Sequence, residues 1–260
     1  MRKQRAGGMK VAIGRSPAGL LIALAVGCLG SSAWATPIEF GGSSSSLSAN
    51  ARFEDTSGKL VVTLTNTSTS DVAVPSQVLT AVFFDSSAAL NLTRTSATVP
   101  GGSSVLFGAT DAGGGVGGEW AYRSSLSGAP GGRRYGISST GLDLFGPHDV
   151  FPGSNLQGPA SPGGLEYGIT SAADDPNTGN TPVTGKNALI KNQVVFVLSG
   201  LPVGFDASRD LSHVYFLYGT SLDEGGYDGP PVPPIPEPAT ALLLMAGGLV
   251  ACSKRAPRIR

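Results

Sequence analysis

Cysteine is nearly missing from this 260-residue chain: there are two, Cys28 and Cys252, each in an apolar run near one end. The long stretch between them therefore has no disulfide, no thiolate metal site and no thiol nucleophile. Histidine is equally scarce, with only His148 and His213, and charged residues make up just 14%. Long helical periodicity is missing between Thr36 and Pro230. Without staples, a body of about 200 residues must rest on an ordinary hydrophobic core, which a chain of that size can supply.

Present instead are 38 glycines, frequent Ser and Thr, and short β-type segments. Leu47–Phe53 alternates loosely, and Leu60–Thr65 is β-branched and stops at the turn Asn66-Thr67-Ser68. Val78–Phe84 reads as a largely buried strand; Val105–Phe107 and Glu119–Arg123 follow glycine-rich breaks. Val194–Leu198 and His213–Tyr218 are the strongest later strands. Turns are expected at Pro100-Gly101-Gly102, Gly113-Gly114-Gly115 and Pro130-Gly131-Gly132. This pattern predicts an all-β domain over residues 36–228, a β-sandwich (jelly-roll or Ig-like) of short antiparallel strands. Residues 141–185 form a long irregular insertion, which Phe145, Phe151, Leu156, Leu165 and Tyr167 would pack over the sheet.

The zero net charge conceals an asymmetry. Five Lys/Arg precede Ser16 and four follow Cys252, so residues 36–236 keep nine basic groups against seventeen acidic ones. That acidic surface argues against nucleic-acid binding.

The basic ends flank address-like segments. Arg2, Lys3, Arg5, Lys10 and Arg15 precede an apolar run from Ala18 to Leu29, then the small-x-small triplet Ala33-Trp34-Ala35. This is a secretory signal peptide over 1–35, handled by the Sec translocon and cut by signal peptidase after Ala35. Met9 is an alternative start. Ala25-Val26-Gly27-Cys28 is a loose lipoprotein box, with Ala25 where a larger aliphatic is usual.

At the other end, residues 229–260 hold a proline spacer, Pro236-Glu237-Pro238, an uncharged run from Ala239 to Cys252, and a basic terminus. As a helix, fourteen residues reach ~21 Å, short of a hydrocarbon core of about 30 Å. The preceding prolines, Gly247-Gly248 and the following Lys254 and Arg255 nevertheless favour a marginal transmembrane helix with a cytoplasmic terminus. Each Pro fixes φ and disfavours helix in the residue before it, so Glu237 is presented in extended form.

This combination resembles the PEP-CTERM sorting signal of bacterial surface proteins. The resemblance implies that an exosortase recognises Pro236, Glu237 and Pro238 and processes the chain nearby, while Lys254 and Arg255 stop it in the inner membrane. Leu64–Ser68, Leu79–Asp85, Gly118–Arg123, Tyr167–Ser171 and Tyr218–Leu222 are similar to stretches of exosortase-dependent surface proteins. That likeness implies a cell-surface or biofilm-matrix location in a Gram-negative bacterium, and it assigns no activity. Ala256-Pro257 interrupts the basic end, and Cys252 before it is unusual for such a tail.

Three places carry candidate chemistry. Asp174, Asp175 and Asn177 gather oxygens of the kind calcium takes, without EF-hand spacing; an Asx-turn explains them equally. Trp120 and Tyr122 share a strand parity and could stack on an exopolysaccharide if exposed, or fill the core. His213 falls in a strand beside aromatics and reads as structural, while His148 lies in a Pro-Asp loop. With no Gly-x-Ser-x-Gly elbow, the chain reads as non-enzymatic; the alternative is a carbohydrate-binding or calcium-dependent adhesive module.

Overall fold

The computed structural model describes residues 37–145, 164–180, 183 and 187–233. The expected signal peptide with Ala33 and Ala35, His148, Phe151, Leu156, the Pro236–Pro238 motif, the apolar run 239–252, Lys254 and Arg255 lie outside them. What is described is mostly β-sheet.

The strands are β1 (Ile38–Ser44), β2 (Leu47–Thr56), β3 (Lys59–Asn66), β4 (Leu79–Ser86), β5 (Thr93–Thr98), β6 (Ser104–Leu106) and β7 (Ala121–Arg123). Then come β8 (Tyr135–Ser138), β9 (Ile169–Thr170), β10 (Leu189–Lys191), β11 (Gln193–Ser199), β12 (Leu211–Tyr218) and β13 (Gly226–Gly229). One four-residue helix, α1 (Ala207–Asp210), interrupts them; the Asp206 side chain caps it by accepting from Ser208 N.

Two sheets result. The first has the order β1-β2-β3-β11-β5 and is wholly antiparallel. The second runs β13-β12-β4-β9-β10-β6, with β8 on β4 and β7 on β8. It is mixed, because β9 and β10 are parallel. Parallel neighbours need a crossover between them, and residues 171–188 provide it, which a count of short strands does not foresee.

Alternation produces the inner face of the first sheet. Ala49, Ala51 and Phe53 on β2, Leu60, Val62 and Leu64 on β3, and Val194, Phe196 and Leu198 on β11 are all buried. Their neighbours Arg52, Thr63 and Val197 are only partly covered. The β2–β3 hairpin closes on Ser57-Gly58, both at positive φ (50° and 72°), the two-residue turn whose twist matches its strands.

β4 has no polar face because it is covered twice. Val82 and Phe84 join the main core with residues of the first sheet, and the Phe84 ring lies 5.3 Å from that of Phe53. Ala81 and Phe83 point into a second cluster with Ala121, Leu126, Leu142 and Phe145. The insertion packs as its apolar residues predict where it is described: Phe145, Leu165 and Tyr167 are buried.

The pairing continues past residue 228. Pro230 O accepts from Gly41 N (3.0 Å), Pro231 bridges Phe40, and Val232 N donates to Glu39 O (2.8 Å). Residues 230–232 thus cross from β13 of the second sheet onto the free edge of β1 in the first. Two prolines on that edge leave few donors for another strand to use.

Candidate functional site

The calcium candidates are each engaged in hydrogen bonds within the protein. Asp174 is buried and turns its Oδ1 to Val72 N (3.1 Å), while its carbonyl accepts from Lys191 Nζ (2.7 Å). Asp175 is exposed, and its Oδ1 accepts from Asn177 N (3.0 Å) and Nδ2 (2.9 Å), the closed geometry of an Asx-turn. Asp71, which sequence reasoning missed, is the organiser: Oδ1 accepts from Asp175 N (2.8 Å) and Oδ2 from the Thr178 hydroxyl. Those bonds, the Thr178 one foremost, hold the Asp71 carboxyl below its usual range. Burial pushes that of Asp174 up. Among the described residues, no group of three or more acidic, His or Cys side chains is placed to hold a metal ion. No local signal ties Asp71 to a loop a hundred residues later; only the fold does.

Trp120 is fully buried, with its ring 5.0 Å from that of Phe196, and Tyr122 is buried beside it. Neither offers a sugar-stacking face, and burial raises the Tyr122 phenol. The core-packing alternative is the one realised.

Four stretches, Leu64–Ser68, Leu79–Asp85, Tyr167–Ser171 and Tyr218–Leu222, meet at one place. Leu79 pairs with both Ile169 and Tyr218. Asn66 Nδ2 donates to Ile169 O (3.0 Å), and Thr80 Oγ1 donates to Gly219 O (2.6 Å). Ser138 and Ser139 hydroxyls reach Thr80 O from β8. This is a buried, hydrogen-bonded seam within the second sheet, to which Asn66 ties the end of β3 from the first.

A depression lies at the Ile38 end of β1. A cleft of about 640 Å³ is lined by Ile38, Phe40, Leu211, Val214, Pro231 and, at its rim, His213. His213 corrects the sequence expectation. A register shift in β12 between Ser212 and Tyr215 places it at φ 51°, and its side chain is 74% exposed. A bulge of this kind re-aims a side chain that strict alternation would have packed.

Arg133 holds the bulge. Nε donates to His213 O (2.6 Å), Nη1 to Pro130 O (2.7 Å) and Nη2 to Asp228 Oδ1, while the guanidinium covers the Tyr215 ring at 5.1 Å. Asp85 Oδ2 lies 3.6 Å from His213 Nδ1, and Ser212 Oγ lies 3.4 Å from the same nitrogen. A Ser-His-Asp relay needs the acid on one ring nitrogen and the hydroxyl on the other. Here both approach Nδ1, so this trio is not arranged as a relay.

Comparison with protein-family models, curated proteins and solved structures finds no match to this chain. Among the described residues, no helix is long and apolar enough to cross a membrane.

Proposed function

We propose that this chain is a non-enzymatic, exported surface or extracellular-matrix protein. It leaves by the Sec route and is held briefly in the inner membrane by residues 239–252. An exosortase then processes it at Pro236-Glu237-Pro238 and delivers it to the envelope or biofilm matrix. The observation that carries this reading is the order of features in the tail: proline spacer, Pro-Glu-Pro, uncharged run, basic terminus.

The two sheets are read as a β-sandwich. The support is a shared core in which Phe53 meets Phe84 and Trp120 meets Phe196 across the gap between the sheets.

Intact mass of the native protein tests the assignment. Loss of residues 1–35 and of a C-terminal piece beginning near Pro236 is the expected result. Glu237→Ala, or removal of Lys254 and Arg255, should leave the body folded and its C-terminus untrimmed. A wild-type chain recovered with residues 239–260 still attached would overturn the sorting assignment.

A further inference from the structure

We propose that the end of the body carrying Val203 docks on a lipid bilayer while the chain is tethered through its C-terminal apolar run. This rests on the reading of residues 239–252 as a membrane anchor.

The first support is a common location. Ile38 stands opposite Phe53 in the β1–β2 register, so Asp55 and the Ser57-Gly58 turn lie just beyond the start of β1. The loop Leu201–Phe205 is fastened to that turn: Gly200 N and Leu201 N both donate to Gly58 O (3.2 and 3.1 Å). Ala207 N donates to Asp55 Oδ1 (3.0 Å). Residues 230–232 run antiparallel to β1, so Val232, opposite Glu39, lies at this same end.

The second support is what that end exposes. Val203 is wholly exposed at the tip of its loop, and Val232 is exposed where the chain departs. A single exposed valine is ordinary on a soluble surface. Here it stands at the end from which the chain runs toward an apolar segment.

The third support is reach. Six residues, Pro233 to Pro238, separate Val232 from the apolar run. Fully extended they span about 20 Å, and the prolines among them stiffen the link. A bilayer holding residues 239–252 therefore keeps this end of the body within contact range, whereas the Ser45-Ser46 turn at the far end of β1 lies away from it.

The test uses the chain from Thr36 to Arg260 with Cys252→Ser. A single environment-sensitive nitrobenzoxadiazole label is placed at Val203→Cys or at Ser46→Cys. The protein is reconstituted in phosphatidylethanolamine/phosphatidylglycerol vesicles, with and without doxyl-labelled lipid. The expected result is flotation with the vesicles, a blue shift and doxyl quenching at position 203, and neither change at 46. Flotation with identical behaviour at both positions overturns the docking surface and leaves the anchor intact. A blue shift at 203 without doxyl quenching marks a protein contact and also overturns it. Failure to float removes the anchor itself, and with it both readings.

Discussion

Asn66 Nδ2 donates to Ile169 O across 3.0 Å, tying the last residue of β3 in one sheet to β9 in the other. Asn66 is buried, and its Oδ1 accepts from Ser68 N (3.1 Å), so one side chain both closes the turn after β3 and joins the sheets. Asn66→Leu keeps the approximate volume and removes these two bonds together with a third, from Nδ2 to Gln77 O (3.4 Å). Leaving a buried carbonyl without its donor costs about 1–3 kcal/mol, so urea unfolding should show a lower midpoint with an unchanged slope. An unchanged midpoint would mean that the Asn66 side chain contributes nothing net to the joint between the sheets.

Phe53 makes a different kind of link between the sheets. Its ring is buried between Phe40 (5.9 Å) and Phe84 (5.3 Å). Phe53→Ala should cost about 3–5 kcal/mol, the usual range for a phenylalanine lost from a packed core. Phe53→Leu, which refills much of the space, should recover most of that loss in the same unfolding measurement.

Arg133 sets the conformation of His213 through the backbone carbonyl rather than the ring. Arg133→Met keeps a stem to pack on Tyr215 but leaves His213 O, Pro130 O and Asp228 without their donor. Amide hydrogen exchange should rise at residues 212–215 and 226–229, while β2 and β3 stay protected. Uniform protection across β12 would show that the bulge holds itself.

The strands that could be read in the sequence are those whose own residues enforce the pattern. β3 and β11 alternate cleanly, and β4 is apolar throughout because both its faces are covered. β8, β1 and β13 could not be read, since each is glycine-containing and owes its extended form to a neighbour. Gly136 in β8 shows why: a Cβ there would meet Phe83 at 2.8 Å and Phe145 at 2.9 Å, so glycine is needed for the strand to lie on β4. The site residues divide the same way. An oxygen-rich loop at 174–180 was visible from composition, but the direction of each carboxylate depends on Val72 and Asp71, far away in sequence. The exposure of His213 likewise depends on Arg133, eighty residues earlier.

Two buried carboxylates should respond oppositely to pH. Asp210 accepts from Arg209 Nη2 (2.7 Å), Ser87 Oγ (2.9 Å) and Asp206 N (3.0 Å), and the Arg209 bonds foremost hold its carboxyl far below the usual range. A depressed folded pKa contributes stability above the unfolded value, near 3.9, that is lost as pH falls through the folded value. Asp210→Asn should therefore lower Tm at pH 7, and the gap to wild type should close on acidification below about pH 4. Asp174 is the reverse case, because burial raises its carboxyl. Its charge opposes folding at neutral pH, and that cost disappears once the group is protonated. Asp174→Asn keeps an oxygen for Val72 N, so Tm should be unchanged or higher at pH 7, with any gain vanishing in acid. A lower Tm for Asp174→Asn at pH 7 would show that the charge itself is needed.

The junction of body and tail can be located by truncation. Ending the chain at Val232 keeps both hydrogen bonds to β1, whereas ending it at Gly229 removes them. The shorter chain also removes Pro230 and Pro231, which wall the cleft above buried Phe40. At about 1 kcal/mol per net hydrogen bond, the two bonds alone are worth roughly 2 kcal/mol. In a domain of 150–250 residues that is a fall in Tm of about 4–8 °C. The chain ending at Val232 should melt with the longer one, because it keeps both bonds by which residues 230–232 hold β1. If both truncations melt alike, β2 and the Tyr227 hydroxyl on Gly42 O (2.9 Å) hold β1 sufficiently, and the 230–232 crossing is incidental. If instead the Val232 chain is already destabilised, residues past 232 contribute to the body's stability. The folded unit would then extend into the proline spacer, leaving less free chain before Glu237 for a processing enzyme to grip.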